Sequence, residues 1–159
     1  MRVIAIDPGY ERMGVAILEK KNGKEILVYS ECFKTSSEIP YTERLKLIGQ
    51  EIEILIKKYK PESMAIETLF FKNNQKTAMR VSEARGVMLY VASIFGLNVV
   101  EFSPMTIKIA VTGHGSSKKD QVIFMVKKLI KINIKIKYDD EYDAIATGLT
   151  YFATNSIRN

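Results

Sequence analysis

Five short apolar runs of strand type, three in succession and two set between helix-type stripes, constrain this chain to a mixed sheet. Val3 to Ile6, Met13 to Leu18 and Glu25 to Phe33 follow one another with only turns between them. The Asn22-Gly23 pair is a strong hairpin signal. Leu45, Ile48, Ile52, Leu55, Ile56 and Tyr59 recur at helical spacing and predict an amphipathic helix over 41–59, which Pro61 ends. A buried strand over 63–67, a loop over 70–74, a helix over 75–95 and a strand over 97–102 follow. Val81, Ala84, Met88, Val91 and Ala92 form the stripe of that second helix. Pro104 starts a short helix to Val111, and Thr112 to Ser116 is a loop. Ser117 with Asp120 has the form of a capping box for a helix that buries Val122, Ile123, Val126, Leu129 and Ile130. Residues 132–139 alternate Ile with Asn or Lys and read either as a strand or as an extended connector. A last helix runs from Asp140 to Phe152. Three strands, then alternating helix and strand, predict an α/β fold with helices on both faces of one sheet. Residues 1–159 read as a single domain.

Carboxylates stand where the apolar runs stop. Asp7 closes the first run, Glu67 closes 63–66, and Asp140 with Asp143 opens the last helix. In an open α/β sheet, ligands gather at the carboxyl ends of strands and the amino ends of the following helices. Acids brought together there repel, by about 4 kcal/mol for a pair at about 4 Å and an effective dielectric near 20. Hard divalent cations relieve that repulsion, and an acid cluster without Cys or His favours magnesium or manganese over zinc.

Plainer explanations stand beside each acid. Asp7-Pro8-Gly9 forms a good turn, with Pro fixing one φ and Gly accepting a positive one. Glu67 is an ordinary strand end, and Asp140 with Asp143 is ordinary capping. The i, i+3 spacing nevertheless puts that pair on one helix face. Asp139 and Glu141 are neighbours, which leaves the assignment open by one residue.

The basic residues complement the acids. The chain carries 24 Lys and Arg against 18 Asp and Glu, a net +6 that points to a polyanion partner. Lys118 and Lys119, in the first turn of the helix after Ser117, form an anion site with the exposed amides or else a solvated pair. Lys108 sits on the preceding helix. Phe70 and Phe71 follow Glu67 in a polar loop with Lys72; each phenylalanine either stacks on an unpaired base or belongs to the core. His114, the single histidine, reads as a loop residue. Cys32 is the lone cysteine, which excludes an intrachain disulfide and suits a reducing interior. No apolar run approaches the roughly 20 residues that span a bilayer. The amino terminus enters a strand without a basic-then-apolar leader, so the expected location is the cytoplasm.

At these residues the sequence resembles the RuvC family of Holliday-junction resolvases, within the ribonuclease-H-like superfamily. The resemblance spans Ile4-Ala5-Ile6-Asp7-Pro8-Gly9, Ile66-Glu67 with Phe70, Ser82-Glu83-Ala84-Arg85-Gly86, Gly115-Ser116-Ser117-Lys118-Lys119 and Asp140-Glu141-Tyr142-Asp143-Ala144. It implies a mixed five-stranded sheet, three antiparallel strands then parallel ones, and a catalytic tetrad of Asp7, Glu67, Asp140 and Asp143. It also implies a stacking aromatic at Phe70 and active-site basic residues at Lys108 and Lys119, with Lys72 and Lys118 as further DNA contacts. Such proteins are homodimers that use magnesium, two ions per site with manganese as a substitute. They nick four-way junction DNA symmetrically in recombination and repair, alongside a branch-migration motor. The helix over 75–95 is the candidate dimer interface. Glu141-Tyr142 departs from the small residues common there. Rival readings are a ribonuclease-H-like nuclease for structured RNA or other branched DNA, an ATP-binding lobe of the actin type, and a non-catalytic nucleic-acid-binding module. The ATP-binding lobe needs a second lobe for which 159 residues leave no room.

Overall fold

The structure, a computed structural model, describes residues 1–69 and 75–155, and the side chains of these apart from Gln75 and Lys76. Its elements are β1 (Arg2–Asp7), β2 (Arg12–Lys21), β3 (Lys24–Lys34), α1 (Tyr41–Tyr59), β4 (Ser63–Glu67), α2 (Gln75–Ile94), β5 (Asn98–Phe102), α3 (Pro104–Thr112), α4 (Lys119–Leu129) and α5 (Asp139–Asn155). The strands form one sheet in the order β3-β2-β1-β4-β5. β1, β2 and β3 are antiparallel neighbours, while β4 and β5 run parallel to β1. Asn22 and Gly23 turn the β2–β3 hairpin with φ of 52° and 75°, the two positive values a tight hairpin turn requires.

The sheet buries both faces, and side-chain alternation sorts the two. Ile4, Ile6, Met13, Val15, Ile17, Met64 and Ile66 pack under Ile48, Ile52, Leu55 and Ile56 of α1 and Ala84, Met88, Val91 and Ala92 of α2. The opposite face is smaller: Val3, Ala5, Ala16, Leu18 and Ala65 meet α3, α4 and α5. α5 consequently lies close to the strands. A Cβ on Gly148 would fall 2.5 Å from a Leu18 methyl and 3.2 Å from Ala5 Cβ. Burying a face of roughly this kind contributes about 25 cal/mol per Å² of apolar surface removed from water.

Several expectations need correction. Ser117 does not cap α4: it is buried, its hydroxyl is 2.7 Å from that of Thr112, and the helix begins one residue later. Gln121, not Asp120, reaches back to the cap, accepting from the Lys118 N–H at 2.8 Å. Leu129 is 49% exposed and Ile123 only half-buried, because Val122, Val126 and Ile130 already fill the contact with α5. The segment before α5 is a connector and not a strand; α5 starts at Asp139. Gly9 does not have a positive φ; a Cβ there would stand 1.9 Å from the Arg12 carbonyl oxygen, so it is lack of space that requires glycine. The expected loop over 70–74, with Phe70, Phe71 and Lys72, lies outside the described residues.

Candidate active site

Strand register brings the first two acids together. Ile6 pairs with Ile66 across the parallel β1–β4 ladder, so Asp7 and Glu67 are the next residues on adjacent strands. Neighbouring strands lie about 4.8 Å apart. Both acids line a cavity of about 240 Å3 with Asp143, Lys108 and Lys119. Ile107, Val122 and Pro104 supply its apolar wall.

Charge in this cavity is out of balance. Burial, then the charges of Asp143, Glu67 and Asp140, push the Asp7 carboxyl well above the usual range, against a smaller opposing pull from Lys119. Burial and then Asp143 raise Glu67 to about 7, although Lys108 and Lys119 draw it down. Asp143 is also raised, chiefly by burial. Desolvation and like charge both favour the protonated acid.

The α5 acids are held differently. Lys119 Nζ lies 2.6 Å from Asp139 Oδ2 and 2.9 Å from Asp143 Oδ2. Burial works against the lysine's charge, but hydrogen bonds to those two acids outweigh it and hold Lys119 above its ordinary value. Asp139 is lowered by the same hydrogen bond. Asp140 does not line the cavity. It faces the Arg12 guanidinium at 3.7 Å and the Cys32 thiol at 3.7 Å. Burial, followed by the Asp140 charge, lifts Cys32 to about 11, which keeps the thiol a proton donor to that carboxylate. Glu141 is 6% exposed and turned inward to Ser30, away from the cavity.

Of the other predicted residues, Lys108 lines the cavity and Lys118 does not. Lys119 is ion-paired with Asp139 and Asp143. His114 lies exposed in its loop, its backbone N–H on the Thr112 hydroxyl. Phe70 and Lys72 fall outside the described residues.

Three supporting residues had no role assigned from the sequence, Arg85 although it lies in a motif that carries the resemblance. Gly14 pairs with Asp7, and a Cβ there would sit 2.0 Å from the Asp140 carbonyl oxygen, so only glycine lets α5 reach the strand end. Arg85 Nε donates to the Glu67 carbonyl at 3.1 Å and its guanidinium pairs with Glu101, fixing the end of β4. Arg44, 4% exposed, donates to the Tyr10 carbonyl at 3.2 Å and to the Thr35 hydroxyl at 2.8 Å, pinning the turn after Asp7. A charged residue inside an amphipathic stripe was the available signal for Arg44.

Among the described residues no three Asp, Glu, His or Cys ligands already stand as a gathered metal site. The donor set fits a divalent ion all the same. Asp7, Glu67 and Asp143 share a desolvated cavity with surplus negative charge, and oxygen donors of this kind suit magnesium or manganese.

Residues 3–151 match the family model described as crossover junction endodeoxyribonuclease RuvC. A protein of that name from Carboxydothermus hydrogenoformans is 41% identical over 152 residues, 96% of each chain. Another, from Brachyspira hyodysenteriae, is 39% identical over 159 residues, 100% of this chain and 98% of its own. Among solved structures, T. thermophilus RuvC in complex with a Holliday junction substrate superposes with a TM-score of 0.92 at 30% identity. It covers 99% of this chain and 96% of that one. The yeast mitochondrial resolvase Ydc2, 16% identical, shares the fold with a TM-score of 0.70 over 98% of this chain and 82% of its own.

Proposed function

The chain belongs to the RuvC family of crossover junction endodeoxyribonucleases, and on that premise we propose how its cavity works. It is an endonuclease with the ribonuclease-H-like fold that resolves four-way DNA junctions. The observation that carries the reading of the site is the meeting of Asp7, Glu67 and Asp143 with Lys108 and Lys119 around one cavity.

Asp7, Glu67, Asp140 and Asp143 are the carboxylates that would hold magnesium, two ions per site with manganese as a substitute. A metal held there would supply a water of lowered pKa and positive charge for the leaving oxygen. The strand ends fix Asp7 and Glu67, and the first turns of α5 carry Asp143 at the cavity and Asp140 beside it, against Arg12 and Cys32. Lys119 and Lys108 set positive charge beside the scissile phosphate. Phe70 stacks on an unpaired base near the crossover, and Lys72 and Lys118 contact the backbone.

A two-fold dimer would put two such sites on a two-fold junction. α2 is the proposed interface: Met79, Tyr90 and Ile94 are 65%, 67% and 61% exposed and recur along one helix face. The chain acts as one nuclease domain in the cytoplasm beside a branch-migration motor. No helix among the described residues is long and apolar enough to cross a membrane.

A synthetic four-way junction, a matched duplex and an RNA hairpin, each with and without magnesium, test this. Paired symmetric nicks in the junction alone are expected, lost in Asp7→Asn while junction binding persists. Equal cutting of duplex or hairpin would transfer the chain's activity to another nucleic-acid substrate.

A further inference from the structure

Ser30, Cys32 and Lys34 alternate along β3 and so share one face of the strand. Each meets the start of α5 or the residue just before it. Ser30 Oγ donates to Glu141 Oε2 at 2.7 Å, Cys32 Sγ contacts Asp140 Oδ2 at 3.7 Å, and Lys34 Nζ lies 3.5 Å from the centre of the Tyr138 ring. Glu141 Oε1 also accepts the Lys137 backbone N–H at 3.2 Å. One buried carboxylate thus ties together the outer strand, the connector before α5 and the first helical turn. Its chain neighbours are site acids: Asp140 directly before it and Asp143 two residues after.

Docking alone does not call for such a group. Ala144, Ile145, Leu149 and Phe152 already bury α5 against the sheet. An acid is almost never this buried unless paired, and a well-packed apolar residue would serve stability at least as well. An apolar contact, however, tolerates sliding, whereas hydrogen bonds to two separate segments fix position along and around the helix.

We propose that Ser30 and Glu141 are positioning residues of the nuclease: their buried hydrogen bond sets where the first turns of α5 lie and so holds Asp140 and Asp143 in place beside Asp7. The inference rests on the reading of these acids as metal ligands.

Calorimetric titration of the full-length protein with magnesium, beside junction cleavage across a magnesium series, tests it. Ser30→Ala is expected to weaken magnesium binding about tenfold and to raise the half-maximal magnesium concentration for cleavage by a similar factor. Junction affinity in EDTA should stay at the wild-type level, which a general loss of fold would not allow. Glu141→Gln retains an acceptor for the Lys137 N–H and an amide that can donate to Ser30, so it is expected to bind magnesium as wild type does. Unchanged magnesium affinity in Ser30→Ala, whatever its melting temperature, overturns the proposal. A wild type that binds magnesium but leaves junctions intact strikes instead at the assigned substrate, and the calorimetric comparison still decides the positioning role.

Discussion

Asp7 and Glu67, at the ends of β1 and β4, form no ion pair among the described residues, whereas the α5 acids are matched, Asp143 by Lys119 and Asp140 by Arg12. The strands hold their carboxylates through the backbone, by register and by the arginines that pin the strand ends, under burial that drives both upward in pKa. The helix holds its carboxylates with neighbouring cations. The contrast separates two jobs. On the proposed reading the strand acids hold a repulsion that a metal ion would relieve, whereas Asp143 and Asp140 already have a cation beside them.

The comparison breaks most visibly at Lys119. Lys119→Ala removes the cation that pairs with Asp143 and the charge proposed to sit near the phosphate, so cleavage should fall about 100–1,000-fold while junction binding changes little. Single-turnover assays at saturating magnesium measure this, and a near-wild-type rate would leave Lys119 a structural partner only.

A smaller effect separates the two acid pairs by stability. In metal-free buffer Asp7→Asn should raise the melting temperature, because it removes a desolvated carboxyl crowded by like charges. Asp143→Asn should not, because it leaves Lys119 with one partner fewer. Each 1 kcal/mol relieved would appear as roughly 2–4 °C in a chain of this size. Calorimetry showing both variants shifted alike would erase the distinction.

pH sharpens the contrast further. Glu67 titrates at about 7 in the folded chain against 4.5 for the ordinary side chain. Its pKa is raised on folding, so its contribution is fully present below 4.5 and is lost as pH climbs to about 7. Metal-free wild type should therefore lose stability across that interval more steeply than Glu67→Gln. Parallel melting curves for the two proteins would contradict this. The smallest effect belongs to Arg12→Ala. Its guanidinium is 51% exposed, so the pair with Asp140 should contribute under about 1 kcal/mol by denaturant titration.

Local patterns were legible in the sequence because they depend on neighbours in the chain. The 41–59 helix, the 63–67 strand and the Asn22-Gly23 hairpin emerge as expected. The acids' positions at element ends were equally readable. What the sequence hid depends on contacts made across the fold. Asp140 turns to Arg12 and Cys32 because β2 and β3 pass beside α5, a pairing more than a hundred residues apart for the thiol. Ser117 looked like a cap by residue type, but Thr112 claims its hydroxyl. Leu129 fitted the helical stripe, yet the stripe is wider than the groove it fills.

The alanines at 5, 16 and 65 touch no substrate, yet they act as shims under α5. Widening any of them to valine would lever the helix outward and draw its acids away from the strand ends. Tolerance to mutation in this enzyme should thus track the thickness of one interior layer, and loss of cutting can originate from a methyl group deep in the core.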